Sequence, residues 1–314
     1  MPAAAGHRHP TRGALWAAGS ATAYSLSSVV GKDLLDSLGP SSLLFWRFAV
    51  AATVLWIAVT IWHRCGGPDP MAVPRRTVLG LGAMFGLLVL LGFYALERLD
   101  ASVYIVIVYT YPVFVVVGSV VLGVRASRGT WGALAMVMVG IVLTVPELFG
   151  GVGSISTTGV MLTVLQALIF AAYMLLSGRV MPPHVDGVVS AAWITLGATL
   201  VIAPIALFGG LVVPRGASLV AEVAMFALVP TVVSSVCFFR AMRHIAPGVV
   251  AMVLTLEVAL VIVWSILFLD ESIRPIKLAG AAVVVGGVLV AQWVDIRAAR
   301  SAAATPLPAG QPVG

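Results

Sequence analysis

Long apolar runs separated by short polar or charged segments are the main pattern of this sequence. An α-helix needs about 20 mostly apolar residues to cross the ~30 Å hydrocarbon core of a bilayer. Runs of about this length cover residues 13–31, 41–62, 77–96, 101–123, 129–146, 158–178, 187–209, 219–242, 247–269 and 275–293. The pattern therefore predicts an all-α integral membrane protein with about ten transmembrane helices.

Composition agrees with this prediction and excludes several classes of protein. Hydrophobic residues make up 61% of the chain and charged residues only 10%, which is unlike a water-soluble domain. The basic residues stand singly or in pairs between apolar runs, so the net charge of +6 does not indicate a nucleic-acid partner. Cys65 and Cys237 lack C-x-x-C or Cys/His spacing, so we expect no metal site and no cofactor.

Lysine and arginine are distributed unequally between the two predicted sides. With the N-terminus inside, twelve arginines fall on the cytoplasmic side, whereas the outer side holds Lys32, Arg98, Arg215, Arg274 and Lys277. This asymmetry predicts a plasma-membrane protein with both termini cytoplasmic. Residues 1–12 form the predicted N-terminal tail. Residues 294–314 are poor in large apolar groups and are predicted to be a disordered tail.

An internal repeat divides the chain into two halves. "FYALERLDASVYIVIVYTYPVF", which begins at Phe93, aligns with "FRAMRHIAPGVVAMVLTLEVAL", which begins at Phe239, at an offset of 146 residues. The predicted five-helix repeats are residues 13–146 and 158–293, and residues 147–157 link them. Because five is odd, the repeats are predicted to be inverted, an arrangement typical of secondary transporters with a site near the membrane midplane.

Several short motifs in this order carry a family resemblance. They are "ALWAAG", "FWRF", "FYALERLDASV", "YTYPVF", "LTLEV", "FLDES" and "LAGAAVVVGGVLVA". Over about residues 13–293 the chain resembles the drug/metabolite transporter superfamily, specifically proteins with two EamA-type domains. The resemblance implies a ten-helix carrier of small metabolites that works by alternating access, often as an exporter. Members commonly have a Glu-Pro pair in helices 4 and 9, which here is divided between Tyr111-Pro112 and Glu257-Val258.

Glu257 lies in the middle of the ninth apolar run, where an ionised carboxylate is costly. Tyr111, its counterpart at the 146-residue offset, lies at a similar predicted depth in helix 4. Three interpretations of Glu257 stay open. It is a proton site, a counter-ion for a cationic substrate group, or a structural partner of Arg47, which lies inside helix 2.

Other polar side chains inside the apolar runs complete the set of candidates. Arg47 is able to bind a substrate carboxylate or to serve a structural or gating role. Tyr24, Gln166 and Tyr173 are the larger polar groups of helices 1 and 6. The predicted substrate-binding or coupling residues are Glu257, Tyr111, Arg47, Tyr24, Gln166, Tyr173 and Thr255.

The function predicted from these features is secondary transport of a small metabolite or drug-like compound, as an exporter or exchanger. Coupling to protons is an open option. The expected partners are the substrate and the lipid bilayer, and a homodimer is compatible with the class. The sequence lacks H-E-x-x-H, paired intramembrane aspartates and nucleotide-binding motifs, so an enzyme is not expected. The alternative is a non-transporting membrane scaffold or accessory subunit.

Overall fold

Every regular element in the described part of this computed structural model is a helix. The structure describes residues 9–27, 34–35, 37–99, 101–146, 156–181, 185–269 and 274–304. The all-α prediction is therefore confirmed for these residues. We label the helices α1 (Pro10–Ser25), α2 (Pro40–Arg64), α3 (Arg75–Leu96), α4a (Ala101–Val108), α4b (Tyr111–Val121), α5 (Arg128–Leu143), α6 (Thr157–Val180), α7 (Gly187–Phe208), α8 (Ala217–Met242), α9a (Pro247–Leu254), α9b (Leu256–Leu269) and α10 (Pro275–Ala304).

Eight stretches of the described chain are long and apolar enough to cross a membrane. They lie in α2, α3, α4, α6, α7, α8, α9 and α10. Helix α5 is apolar but shorter, and α1 has 16 residues. The prediction of a multi-pass membrane protein is confirmed, whereas the count of ten spans stays a prediction.

The helix ends follow ordinary capping chemistry. Proline occupies the first turn of α1, α2 and α9a, where its missing N–H costs no hydrogen bond. The side chains of Ser127, Ser156 and Asp186 accept backbone N–H bonds at the starts of α5, α6 and α7. The apolar runs thus begin and end close to the predicted boundaries.

The C-terminal tail departs from its prediction. Helix α10 continues to Ala304, so residues 294–304 are helical where a disordered tail was expected. Alanine has the highest helix propensity, and adding residues to a helix that already exists is easy. Arg297 also stacks 3.6 Å over the ring of Trp293, one turn earlier. The rest of this tail, the first eight residues and most of the linker, 147–155, lie outside the described residues.

Contacts between helices are mirrored between the two repeats. Helix α1 contacts α8 as α6 contacts α3, and α2 contacts α8 as α7 contacts α3. Helix α1 also contacts α9 as α6 contacts α4. Helices α2 and α7 contact each other, as do α5 and α10, and each is the counterpart of its partner. Helix α4b contacts α9a. This is the pattern of two units related by an approximate two-fold exchange. The direction of that axis in the membrane is not shown by the contacts, so inversion stays a prediction.

Individual side chains repeat the same exchange. The Trp46 indole Nε1 donates to the Val212 carbonyl at 2.9 Å, and the Trp193 indole Nε1 donates to the Pro70 carbonyl at 2.8 Å. In each case the second helix of one repeat holds the loop after the second helix of the other. The correspondence in sequence is therefore also one in three dimensions.

Two glycine contacts also correspond between the repeats. Gly13 and Gly159 are 146 residues apart, and so are the residues that they contact, Ile245 and Leu99. A Cβ at Gly13 would lie 2.7 Å from Ile245 Cγ2, and a Cβ at Gly159 would lie 2.6 Å from Leu99 Cγ. Only glycine allows so close an approach between α1 and the end of α8, or between α6 and the end of α3.

Breaks in α4 and α9 were not predicted from the sequence. Helix α4 is interrupted by a turn at Tyr109 and Thr110, and α9 by a turn at Thr255. The Thr110 hydroxyl donates to the Ile107 carbonyl at 2.7 Å, and the Thr255 hydroxyl donates to the Met252 carbonyl at 2.6 Å. Threonine can therefore satisfy backbone groups that a helix break exposes, which membrane-embedded breaks require.

Candidate functional site

A cavity of about 920 Å³ lies between the two repeats. Its lining includes side chains from α1, α3 and α4 of the first repeat and from α6, α8 and α9 of the second. The breaks in α4 and α9 adjoin it, because Tyr109, Tyr111, Leu254 and Glu257 all belong to the lining. Broken helices at a repeat interface are the usual setting of substrate sites in secondary transporters.

The described lining of the cavity extends to one end of the helix bundle, which we call the open end. It reaches Leu96 and Leu99 after α3, Val145 after α5, and Arg274 and Lys277 at the start of α10. Because these helix ends line the same cavity, we place them on the same side of the bundle. The sequence predicts this side to be extracellular.

Aromatic rings form the floor of the cavity. The Tyr111 ring lies 4.7 Å from the Phe170 ring, and Tyr173 lies 5.3 Å from Phe85 and 6.1 Å from Phe238. These five residues come from α3, α4b, α6 and α8, so both repeats contribute to the floor. The floor separates the cavity from the other end of the bundle, which we call the closed end.

Polar contacts join the helices at the closed end. The Tyr111 hydroxyl donates to the Ala251 carbonyl at 3.1 Å, which links α4b to α9a. Asp186, at the start of α7, lies 3.6 Å from Arg240 and 3.5 Å from Arg243 at the end of α8. The Arg240 guanidinium also lies 4.8 Å from the Trp16 ring centroid of α1, a cation–π contact between repeats.

Glu257 lies in the first turn of α9b and faces the cavity. The positive end of the helix dipole favours a carboxylate in this position. Tyr109 and Arg47 both lie close enough to this carboxylate to act on it electrostatically. The side chain is half-buried, so a proton or a ligand in the cavity has access to it.

Arg47 is held by α8 rather than by Glu257. Its Nε donates to Thr231 Oγ1 at 2.7 Å and its Nη2 to the Pro230 carbonyl at 3.4 Å. The ion pairs found among the described residues do not include Arg47 with Glu257. In this conformation Arg47 and Glu257 therefore form no direct ion pair, and the interpretation of Glu257 as a structural partner of Arg47 stays a prediction.

The reason for this arrangement is a π-helical segment in α8, Leu228–Val233. Pro230 has no backbone N–H, and Thr231 compensates by donating its hydroxyl to the Phe226 carbonyl at 3.5 Å. Arg47 completes the network and stacks 4.8 Å from the Phe226 ring centroid. Segments of this type occur often at functional sites, but the sequence analysis did not predict one.

The structure brings six of the seven predicted site residues to the cavity. Glu257, Tyr111, Arg47, Tyr24, Gln166 and Tyr173 all line it. The Gln166 Oε1 accepts a hydrogen bond from the Tyr104 hydroxyl at 3.1 Å. Thr255 is fully buried and binds the Met252 carbonyl, away from the lining. The structure thus gives the location of each side chain, and the binding roles of the seven residues stay predictions.

Other lining residues were missed as candidates. Tyr104 and Tyr109 adjoin Gln166 and Glu257, respectively, and Phe85, Phe170 and Phe238 belong to the floor. The spacing of Phe170 and Tyr173, three residues apart on one helical face, was a signal for the floor. Within the described ranges, no three His, Cys, Asp or Glu side chains are grouped so that they could hold a metal ion.

Comparison with known families identifies the architecture. A model of the EamA-like transporter family matches residues 11–145 and 157–292, which together are most of the chain. The chain belongs to the EamA-like transporter family. This membership confirms the resemblance seen in the sequence and makes the protein a multi-pass membrane transporter of the drug/metabolite type, whose substrate is a small molecule.

Other comparisons add the fold. No curated protein matches the sequence. Among solved structures, 29 chains match. One of them, described as "Crystal structure of protein", is 19% identical with a TM-score of 0.78, and the match covers 92% of this EamA-like chain and 99% of the other. At this identity the match shows a common fold and no common substrate.

Proposed function

We propose that this EamA-like protein is a secondary transporter of the plasma membrane that works by alternating access and holds its substrate in the cavity between the repeats. The observation that carries this proposal is the cavity itself. It has one open end and one closed end, and both repeats line it at the breaks of α4 and α9. Such a cavity is what one state of an alternating-access carrier requires.

The proposed topology has ten spans in two inverted repeats, with both termini cytoplasmic. The mirrored helix contacts support the two-fold exchange, and the distribution of arginine supports the orientation. With this orientation the open end faces outward, and the closed end, where Asp186 meets Arg240 and Arg243, faces the cytoplasm. The structure then corresponds to an outward-open state.

The lining favours a substrate that combines a cationic group with an apolar or aromatic body. Of the described residues that line the cavity, Glu257 is the acidic one. Two N–H groups of Arg47 are engaged by Thr231 and Pro230, and the other cations of the lining, Arg274 and Lys277, lie at the start of α10. Aromatic rings offer both apolar contact and cation–π attraction, and the volume suits a drug-sized molecule.

The same carboxylate provides a route for coupling. If Glu257 binds either a proton or the cationic substrate, the two ligands exclude each other at that site. A proton gradient directed inward then drives substrate outward. The proposed transport mode is therefore exchange of protons for an organic cation, with export as the physiological direction.

Proteoliposomes test this proposal. The purified protein is reconstituted, and uptake of amines, aromatic amines, amino acids and sugars is measured with and without a pH gradient. We expect an amine to accumulate when the gradient drives protons out of the vesicles, and Glu257→Gln to abolish that accumulation. Glu222→Gln is the matched control, because Glu222 lies near the start of α8 outside the cavity lining and is bonded to Ser218.

Two results would contradict the proposal. Accumulation of every compound at the level of protein-free liposomes would show that the protein does not transport this class. Gradient-driven transport that Glu257→Gln leaves unchanged would remove the coupling role of the carboxylate while leaving the transporter function in place.

A further inference from the structure

The contact between Tyr111 and Ala251 ties the two repeats together at the closed end. Tyr111 is almost fully buried, and its hydroxyl donates to the Ala251 carbonyl at 3.1 Å. In an uninterrupted α-helix this carbonyl would accept the N–H of Thr255. Because α9 breaks there, the Thr255 N–H turns to Met252 and Val253 instead, and the Ala251 carbonyl is available to tyrosine.

The residues equivalent to Tyr111 and Ala251 in the opposite repeats lie at the open end. Tyr111 corresponds to Glu257 and Ala251 corresponds to Ile105. The offset holds in space, because Gly13 meets Ile245 as Gly159 meets Leu99. Both Glu257 and Ile105 line the cavity, so the mirrored pair lies where the protein is open.

This step rests on the proposed function. In carriers with inverted repeats, the opposite-facing state arises when one repeat moves against the other around the central site. If the repeats exchange their arrangements, residue 257 approaches the Ile105 carbonyl as Tyr111 approaches Ala251 here. The Ile105 carbonyl accepts the Tyr109 N–H at 3.1 Å and keeps a second lone pair for another donor.

Hydrogen-bond chemistry separates the two contacts. A tyrosine hydroxyl donates whether or not a proton is supplied, but an ionised carboxylate only accepts, and a carbonyl only accepts as well. We propose that Glu257 closes the open end by donating from its protonated carboxyl group to the Ile105 backbone carbonyl. Return of the substrate-free carrier to the inward-facing state then requires protonation of Glu257, and the empty, deprotonated carrier is held outward-open.

The surroundings of Glu257 are consistent with a site that changes its charge with conformation. In the outward-open state the Tyr109 hydroxyl and the Arg47 guanidinium lie close enough to the carboxyl group to interact with it. Among the described residues, the titratable and charged groups that face it or share its cavity are Tyr24 on α1, Arg47 on α2, Tyr104, Tyr109 and Tyr111 on α4, Tyr173 on α6, and Arg274 and Lys277 at the start of α10. Near neutral pH, phenols are ordinarily uncharged and guanidinium groups charged.

Cysteine accessibility measures which end is open. Cys65 and Cys237 are first replaced by alanine. Ile105→Cys then reports the open end, and Ala251→Cys reports the closed end; both leave the backbone carbonyls in place. Labelling by a hydrophilic maleimide is followed in lipid nanodiscs at pH values on both sides of neutrality, and each rate is normalised to a cysteine at Val213, an exposed position in the loop before α8.

With the wild-type Glu257, the labelling rate of the cysteine at position 105 should fall as the pH falls. The labelling rate of the cysteine at position 251 should rise over the same pH range. Glu257→Gln keeps a donor, so position 105 should be protected at every pH. Glu257→Leu has no donor, so position 105 should stay accessible at every pH. We expect differences of roughly threefold to tenfold, the scale of one net hydrogen bond.

Tyr111→Phe is the matched control for the opposite contact. It removes the donor to Ala251, so position 251 should become more accessible while the pH dependence set by Glu257 persists. Each variant is used only if it elutes as a single species from a size-exclusion column. Glu257→Gln and Glu257→Leu then compare a side chain that donates a hydrogen bond with one that does not.

The outcomes separate the inference from the function on which it rests. If Glu257→Gln leaves position 105 as accessible as Glu257→Leu does, the donor contact is wrong, although transport stands. If wild-type labelling does not change with pH while transport does, the contact is also wrong. If neither position changes under any condition and no compound is transported, alternating access itself fails.

Discussion

The two repeats of this EamA-like protein share a framework but differ at its centre. Trp46 and Trp193 hold equivalent loops of the opposite repeat, and Gly13 and Gly159 allow equivalent close contacts. The tryptophans donate hydrogen bonds to backbone carbonyls and the glycines allow close packing, so neither kind of contact needs a charged side chain. Under the proposed function, such contacts are compatible with exchange of the arrangements of the two halves.

The centre distinguishes the repeats by charge. Buried Arg47 in α2 corresponds, at the offset of 147 residues that relates the two tryptophans, to buried Ile194 in α7. Tyr111 corresponds to Glu257. A transporter built from two identical halves would close both ends by the same chemistry. Under the proposed function, these differences give each end its own chemical requirement.

The closed end has a cluster of two ion pairs, whereas the ion pair described at the open end joins the neighbouring residues Glu97 and Arg98. Asp186, Arg240 and Arg243 form the cluster, and the positions 146 residues earlier are Pro40, Tyr94 and Glu97. These side chains are partly exposed, so each pair contributes little to stability. The cluster thus favours the present conformation modestly, and substrate or proton binding is able to overcome it.

The largest expected difference between the repeats concerns Arg47 and Ile194. Arg47→Met leaves Thr231 and the Pro230 carbonyl without their donor in a buried site and should lower the free energy of unfolding by about 2 kcal/mol. Ile194→Met conserves volume and should cost less than about 1 kcal/mol. Thermal unfolding in detergent measures both. Equal losses would show that the guanidinium network is no more important than apolar packing at this position.

The next test concerns the shared glycines. Gly13→Ala and Gly159→Ala each place a Cβ within 3 Å of a neighbouring side chain, so both should lose about 1.5 kcal/mol by overpacking. Gly80→Ala is the control, because nothing lies within 4 Å of its added Cβ; a helix-propensity gain of up to about 1 kcal/mol is expected. A loss at only one of the two glycines would break the proposed equivalence of the contacts.

The smallest effect is expected from the two tryptophans. Replacement by phenylalanine removes one indole hydrogen bond at each site. Trp193 is only 6% exposed, so Trp193→Phe should cost about 1 kcal/mol. Trp46 is half-buried, where water can replace the lost donor, so Trp46→Phe should cost less. The two midpoints of thermal unfolding decide the order, and a greater loss at Trp46 would reverse it.

The sequence predicted the helices, the repeat and most of the candidate site because each depends on local or periodic information. Apolar runs of membrane length are visible in one dimension, and the offset of 146 residues pairs Tyr111 with Glu257 directly. Six of the seven candidates line the cavity because polar groups inside apolar runs have few other places to lie.

The hydrogen-bond partners of Arg47 were not predictable from the sequence. The sequence suggested Arg47 as a neighbour of Glu257 by depth, yet Arg47 binds Thr231 and Pro230. Depth along a helix does not define rotation about its axis, and it does not reveal that Pro230 produces a π-helical segment. The π segment and the breaks at Thr110 and Thr255 escaped prediction for the same reason. Arg47 from α2 binds the π segment, and Tyr111 from α4b binds the carbonyl that the break at Thr255 leaves available. Such partners on other helices are not visible in one dimension.

The sequence by itself determined that this protein is a helical membrane transporter made of two related halves, because hydrophobicity and repetition are properties of the chain. Only the tertiary structure decided which end of the cavity is open and which groups meet across it. Those features depend on how the halves are arranged relative to each other, and a chain that is able to adopt two arrangements carries both in one sequence.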